Sequence, residues 1–141
     1  MKSFATTTSI RAPIERIWSL LTDAAGYAAW NSTVEQVDGR IALGEKITVR
    51  TKISPGRAFP LTVTEFDPNR RMVWTGGMPL GLFLGTRIYL LTPRSAGDIE
   101  FSMREEFSGL LAPLITRSIP DLQPSFDQFA ADLQSCAESN V

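Results

Sequence analysis

The stretch KITVRTKI, residues 46–53, alternates strictly between two kinds of side chain. Ile47, Val49, Thr51 and Ile53 lie on one face of an extended chain, and lysine, threonine and arginine side chains lie on the other. Because successive side chains of a strand point to opposite faces, the first set faces a core and the second faces water. The stretch therefore predicts a strand of an antiparallel sheet that is covered on one side.

Turn signals on both sides of this stretch divide the middle of the chain into further strands. Segments rich in β-branched and aromatic residues lie between clusters of Gly, Pro, Asn and Asp, and they cover residues 59–66, 71–76, 83–92 and 99–108. Another strand begins near residue 33 and ends at Asp38-Gly39, and residues 3–10 alternate in the same way. We expect about seven strands, six of them consecutive and joined by short turns.

Helical spacing precedes the six consecutive strands. After Pro13, whose fixed φ suits a first helical turn, apolar side chains recur at i, i+3, i+4 and i+7, namely at Ile14, Ile17, Trp18 and Leu21. A short, alanine-rich second helix is expected between Thr22-Asp23 and Trp30-Asn31.

The end of the chain returns to helical spacing. One apolar stripe runs through Ile115, Ile119, Leu122, Phe126, Phe129 and Leu133. Pro120 and Pro124 fall inside this stripe, where each removes an N–H donor and clashes with the preceding turn. We therefore expect a long C-terminal helix that is kinked or broken near residues 117–124.

This order of elements indicates an α+β fold rather than alternating βαβ units. A sheet of about seven twisted strands curls, and the apolar stripe of the last helix needs an apolar surface to cover it. We expect a curved antiparallel sheet wrapped around a long C-terminal helix, with two short helices after the first strand and a ligand-sized gap between sheet and helix. The length of 141 residues matches one domain, residues 1–141.

Composition excludes several functions. A net charge of −1 without long runs of either sign argues against a nucleic-acid partner. The chain has no histidine and a single cysteine, Cys136, so histidine bases, histidine metal ligands and intrachain disulfides are excluded. We expect neither a metal nor another cofactor. Since no apolar stretch is long enough to span a membrane or resembles a signal peptide, we expect no integral membrane association and a cytoplasmic location.

Several short stretches carry a resemblance to a known superfamily. They are Ile10–Trp18, Leu20–Asp23, Tyr27–Asn31, Met72–Gly76, Glu105–Leu111, and Pro93 after Tyr89-Leu90-Leu91. With them the chain resembles the START-like (SRPBCC) superfamily, and within it the polyketide cyclase/dehydrase and lipid-transport branch. The resemblance implies a helix-grip fold. Because members of this superfamily bind lipids, cyclise polyketides, hydrolyse small molecules or assist other proteins, the resemblance leaves the activity open.

The last predicted strand directs one carboxylate inward. In residues 99–108 the odd positions are apolar except Glu105, whereas the even positions are almost all polar. In the preceding strand, the face with Arg87, Tyr89 and Leu91 and the face with residues 84, 86, 88 and 90 are equally apolar. The superfamily pattern, an aromatic residue at Tyr89 and a proline at 93, favours the first. Arg87 then lies opposite or diagonal to Glu105.

Two interpretations of this pair stay open. A buried carboxylate needs a partner, so Arg87 and Glu105 form a structural ion pair. Alternatively, the pair orients a polar ligand group or transfers a proton, with Glu105, Arg87 and Tyr89 as the catalytic candidates. Because pairing with a cation makes a carboxylate a weaker base, the pair argues mildly against catalysis.

Aromatic and soft side chains on the inward face suit a cavity that admits varied apolar ligands. The predicted ligand-binding set is Trp30, Met72, Trp74, Phe83, Arg87, Tyr89, Phe101, Met103, Glu105, Leu122, Phe126 and Phe129. The apolar, glycine-rich stretch 76–83 and two prolines predict a portal formed by Met78, Leu80, Leu82, Pro120 and Pro124. Arg50, Lys52 and Arg57 are interpreted as a solvated face.

Three functions follow as hypotheses. The first is binding or transport of a small hydrophobic or amphipathic molecule, such as a lipid. The second is an enzyme of the cyclase/dehydrase or hydrolase type that uses the same cavity. The third and weakest is a protein-interaction module of the kind that stimulates chaperones. The absence of histidine and of a second inward carboxylate favours the first. The oligomeric state stays open.

Overall fold

The computed structural model describes residues 3–139. Over this range the strands are β1 (Ser3–Ile10), β2 (Val34–Asp38), β3 (Lys46–Thr51), β4 (Phe59–Asp67), β5 (Arg71–Met78), β6 (Phe83–Pro93) and β7 (Ile99–Ser108). The α-helices of the same range are α1 (Ile14–Thr22), α2 (Tyr27–Trp30), α3 (Ala112–Ile115) and α4 (Gln123–Glu138). Single 3-10 turns occupy Ala24–Gly26, Ser95–Gly97 and Thr116–Ser118.

All seven strands of the described range join one antiparallel sheet in the order β1-β7-β6-β5-β4-β3-β2. From β2 to β7 each strand pairs with the next, and β1 closes on β7 with Ser3 opposite Glu106 and Ile10 opposite Ile99. Register shifts in β2 and β4 mark bulges, which bend a sheet. The sheet is a half-barrel, and the α+β, helix-grip fold expected from the sequence is confirmed.

Helix α4 lies against β1 at one side of the sheet. Thr6 Oγ1 donates to Asp127 Oδ1 at 3.0 Å, and Thr8 Oγ1 donates to Gln134 Oε1 at 2.9 Å. A neighbouring face of the helix enters the core with the buried side chains Phe126, Phe129, Ala130, Leu133 and Ala137. Polar contacts to one strand and apolar contacts to the concave face together fix the position of α4 over the sheet.

Helix α1 secures the far end of α4. The Arg16 guanidinium donates to the carbonyl oxygens of Ala137 and Cys136, at 2.8 and 2.9 Å. The last carbonyls of a helix have no partner within the helix, and its C-terminus carries partial negative charge. Arg16 therefore gives the last carbonyl groups of α4 hydrogen-bond donors and places a positive charge at the negative end of the helix.

The break predicted near residues 117–124 is present, but its cause differs from the expected one. Pro120 lies between the 3-10 turn and α4, and Pro124 occupies the first turn of α4, where a missing N–H costs no helical hydrogen bond. Ile115 and Ile119 precede α4, so the apolar stripe is not one continuous helix. The prolines delimit α4 and do not kink it.

The stretch 76–83, expected to be a loop, is mostly a hairpin. Gly76 and Gly77 belong to β5 and pair with Gly85 and Leu84. A Cβ on Gly77 would lie 2.3 Å from the carbonyl oxygen of Phe83, so glycine permits the close approach of β6 here. Only residues 79–82 form the turn.

Candidate functional site

A cavity of about 370 Å³ lies between the sheet and the segment that contains α4. This volume falls within the range of small-molecule sites in proteins. Eight residues of the predicted ligand-binding set line it: Trp74, Phe83, Arg87, Met103, Glu105, Leu122, Phe126 and Phe129. The sequence thus identified much of the wall that β5, β6, β7 and α4 provide.

Four residues of the predicted set lie outside the cavity wall: Met72, Tyr89 and Phe101 in the packed core, and Trp30, which is partly buried against that core. The cause is Phe129 of α4. Its ring centroid lies 5.7 Å from that of Trp30, 6.2 Å from that of Tyr89 and 6.1 Å from that of Phe101. This ring fills the concave face at one end of the sheet, so the cavity is confined to the other end.

Arg87 and Glu105 form an ion pair on the cavity wall. They are cross-strand partners in β6 and β7, and Arg87 Nε donates to Glu105 Oε1 at 2.6 Å. Their side chains are 20% and 15% exposed, and the guanidinium carbon lies 4.9 Å from the Phe126 ring centroid. The face with Arg87 and Tyr89 is therefore the inward one, as the superfamily pattern indicated.

Electrostatics keep this arginine charged. Burial disfavours the guanidinium cation, but the Glu105 carboxylate raises the pKa of Arg87 above its ordinary value. Arg87 donates to Glu105 through Nε, and its guanidinium also interacts with the neighbouring Tyr89 hydroxyl. Because a guanidinium carries more N–H donors than these two contacts use, the pair can offer a ligand both a donor and a carboxylate acceptor.

Tyr89 interacts with Arg87 of this pair but does not line the cavity. Burial raises the pKa of Tyr89 to about 12, although the nearby Arg87 charge opposes the shift. The hydroxyl is neutral at physiological pH, and the side chain is fully buried outside the cavity. Arg87 and Tyr89 lie on β6 and Glu105 lies on β7, and of these three catalytic candidates Arg87 and Glu105 line the cavity.

Buried polar atoms without a partner cluster around these aromatic side chains. Within residues 3–139 they are Trp30 Nε1, Asn31 Nδ2, Trp74 Nε1 and the Tyr89 hydroxyl. Buried polar groups are normally hydrogen-bonded, so such a cluster is unusual. Trp74 is the member whose side chain also lines the cavity, and its ring centroid lies 4.8 Å from that of Tyr89. Trp74 therefore connects the cavity wall with the buried aromatic residues behind it.

The exposed residues of the cavity wall locate its mouth. They are Ile53, Arg57, Pro60, Gly77, Ser118 and Pro120. The mouth is therefore bordered by the β3–β4 connection, by β4 and β5 at Pro60 and Gly77, and by the segment that precedes α4.

The predicted portal residues are divided between the mouth and the surface away from the cavity wall. Pro120 lies at the mouth, whereas Met78, Leu80, Leu82 and Pro124 do not line the cavity. The reason is the hairpin: with Gly76 and Gly77 paired, residues 79–82 form a turn whose Leu80 side chain is 91% exposed. The apolar lip expected there is a hairpin tip in solvent.

Sequence reasoning missed the wall that β3 and the β3–β4 connection contribute. Thr51, Ile53, Ser54, Arg57 and Phe59 all line the cavity. The alternation of Ile47, Val49, Thr51 and Ile53 already placed the apolar members on the core face. Nothing in the sequence distinguished Arg57 from the cations of a solvated face.

The described part of the chain, residues 3–139, contains no group of three or more Cys, Asp or Glu side chains arranged to hold a metal ion. No helix in that part is long and apolar enough to cross a membrane.

Comparison with known families assigns this chain to a family. The sequence profile described as "Polyketide cyclase / dehydrase and lipid transport" matches residues 1–137. The chain belongs to this family. Family membership agrees with the START-like resemblance of the sequence and with the helix-grip fold.

Individual relatives are distant. This chain is 29% identical to oxopyrrolidines biosynthesis cluster protein O of Penicillium oxalicum over 84 residues. The match covers 47% of this chain and 42% of that protein. Among solved structures, a hypothetical protein of Helicobacter pylori has a TM-score of 0.80 at 12% identity, over 97% of this chain and 88% of the other. A START superfamily protein of Mycobacterium smegmatis has a TM-score of 0.71 at 14% identity, over 96% and 97%. These structures share the fold.

Proposed function

We propose that this chain binds a small hydrophobic or amphipathic molecule in the cavity between the sheet and α4. The observation that carries the proposal is the cavity of about 370 Å³, walled by aromatic and aliphatic side chains and by the Arg87–Glu105 pair. Ligand sites are typically apolar concavities with a few polar groups that orient the ligand. Family membership supports the same function.

The polar groups of the wall suit orientation better than acid–base chemistry. The Glu105 carboxylate already accepts a hydrogen bond from Arg87, so one of its oxygens is engaged in the ion pair. Tyr89 is neutral and lies outside the wall. Glu105 is the carboxylate that lines the cavity within the described residues, so an acid and a base are not paired there. We therefore favour binding over a cyclase, dehydrase or hydrolase activity.

Native mass spectrometry of freshly purified protein, followed by solvent extraction, tests for a retained ligand. A second test uses a neutral phenylnaphthylamine probe and a variant that fills the cavity. Gly85 lines the cavity on β6, and a Cβ added there would meet Phe107 Cε1 at 3.5 Å, an ordinary contact. Gly85→Leu should therefore fold and should abolish probe binding.

Thr86→Leu is the matched control, because residue 86 is the neighbour on the other face of β6 and does not line the cavity. Thr86→Leu should bind the probe like the parent protein. Equal probe binding by a folded Gly85→Leu variant would contradict the proposed function.

A further inference from the structure

The charges on the cavity wall do not cancel. Three ionisable side chains line the cavity, namely Arg57, Arg87 and Glu105. Arg87 and Glu105 neutralise each other through their 2.6 Å contact. Arg57 therefore leaves one uncompensated positive charge, and it lies at the mouth.

The position of Arg57 is defined by its own turn. Its backbone N–H donates to the Ser54 carbonyl oxygen at 3.2 Å, and its guanidinium carbon lies 5.6 Å from the Phe59 ring centroid. Ser54 and Phe59 also line the cavity. Among the ion pairs of residues 3–139 none involves Arg57. The cation is thus placed at the mouth by an aromatic ring, with its N–H donors unused by a carboxylate.

The chain around Arg57 is strongly basic. Residues 46–64 contain Lys46, Arg50, Lys52 and Arg57 and no acidic residue, although the whole chain carries a net charge of −1. Such local asymmetry attracts anions towards the mouth. Across the mouth, Asp121 follows Pro120 but does not line the cavity. Its Oδ1 accepts a hydrogen bond from the Gln123 N–H at 3.1 Å, at the start of α4.

We propose that the ligand is an anionic amphiphile whose apolar body fills the cavity and whose single anionic group, such as a carboxylate, pairs with Arg57 at the mouth. This inference rests on the proposed function and adds the chemical class of the ligand. A guanidinium suits the role because it binds a carboxylate through two parallel N–H donors. The Arg87–Glu105 pair, deeper in the wall, has no net charge to offer.

Isothermal titration with three matched ligands tests the inference: decanoate, decan-1-ol and decylammonium. The parent protein should bind decanoate about two- to fivefold more tightly than decan-1-ol, the range of one exposed charge pair, and decylammonium most weakly. Added salt should weaken decanoate binding and leave decan-1-ol binding unchanged. Arg57→Gln should remove the preference for decanoate, and Arg57→Glu should shift it to decylammonium.

Arg50→Gln is the control, because Arg50 is an exposed cation of the same basic stretch that does not line the cavity. It should keep the preference for decanoate. Binding of decan-1-ol and decanoate with equal affinity would overturn the inference and leave the proposed function intact. An unchanged preference in Arg57→Gln would overturn it too. If none of the three ligands bound, both the inference and the proposed function would fail.

Discussion

Arg87 and Glu105 face each other directly across β6 and β7, with 2.6 Å between Nε and Oε1. Each side chain is mostly buried, so each charge depends on the other for compensation. The pair also sits on the cavity wall, where a ligand can reach the donors that it leaves unused. Its stability role and its ligand role can be separated by substitution.

Removing one member of the pair should destabilise the protein more than removing both. Arg87→Met or Glu105→Leu alone should each lower the free energy of unfolding by about 3 kcal/mol, because the surviving charge stays buried without a partner. The double variant should recover most of that loss. Urea unfolding of the three variants measures the difference. Single variants that each cost under about 1 kcal/mol would contradict a buried, coupled pair.

The Asp132 carboxylate should make stability depend on acid. Burial opposes its ionised form, but hydrogen bonds from the Ser32 hydroxyl, the Ser32 N–H and Gln128 hold the pKa of Asp132 below its usual value. A carboxylate with a lowered pKa stabilises the fold above its unfolded-state pKa, about 3.9, and that contribution is lost as the pH falls through the folded-state pKa.

Asp132→Asn should therefore cost about 1 kcal/mol at neutral pH, and its difference from the parent should shrink below about pH 4. Denaturant unfolding at several pH values measures this. Glu35→Gln, on an exposed position of β2, is the control and should cost little at any pH. A constant difference between Asp132→Asn and the parent down to about pH 2 would argue against the mechanism.

The hairpin turn between β5 and β6 carries a strained and exposed leucine. Leu80 has a φ of 63° and Gly81 a φ of 69°, and the Leu82 N–H donates to the Pro79 carbonyl oxygen at 3.3 Å. This geometry is a type I′ turn, whose first central position favours asparagine. Leu80→Asn should raise the unfolding free energy by about 0.5–1 kcal/mol in thermal unfolding.

Leu80→Ala separates conformation from apolar exposure. Alanine removes the exposed side chain, which is 91% accessible, but has no preference for a positive φ. Leu80→Asn should therefore be more stable than Leu80→Ala. The reverse order would mean that the turn does not hold this conformation in solution.

Ligand binding should slow amide exchange at the mouth of the cavity. Residues 53–58 and 116–120 flank the opening, whereas residues 79–82 form a turn that does not line the cavity. In exchange experiments with and without decanoate, the first two segments should gain protection, because their openings become rarer when the cavity is filled. Protection confined to residues 79–82 would restore the portal that the sequence predicted.

The sequence predicted those features that depend on local periodicity. The alternation in residues 99–108 predicted β7 and the inward orientation of Glu105. The spacing of Ile14, Ile17, Trp18 and Leu21 predicted α1. In each of these patterns several residues show the same periodicity of buried and exposed positions, so the element is predicted by more than one residue.

The missed features depend on where separate elements meet. Gly76 and Gly77 suggested a loop, but they permit a close approach between strands that only the pairing reveals. Whether an inward side chain meets core or cavity depends on Phe129, which belongs to a distant helix. Arg57 has the same local sequence character as Arg50, and the fold alone places one at the mouth.

The pairing of β1 with β7 has a consequence for how the chain reaches its native state. Thr6 bonds to Asp127, 121 residues later in the chain, and β1 has β7 as its partner strand. Contacts between such distant positions require the closure of a long loop, which costs conformational entropy before the contacts stabilise the chain. Proteins rich in such contacts fold slowly. During synthesis β1 therefore emerges before β7 and α4, and it stays unpaired until both have been made. The β2–β7 meander, whose strands pair with their neighbours, can assemble first, and the docking of β1 completes the sheet.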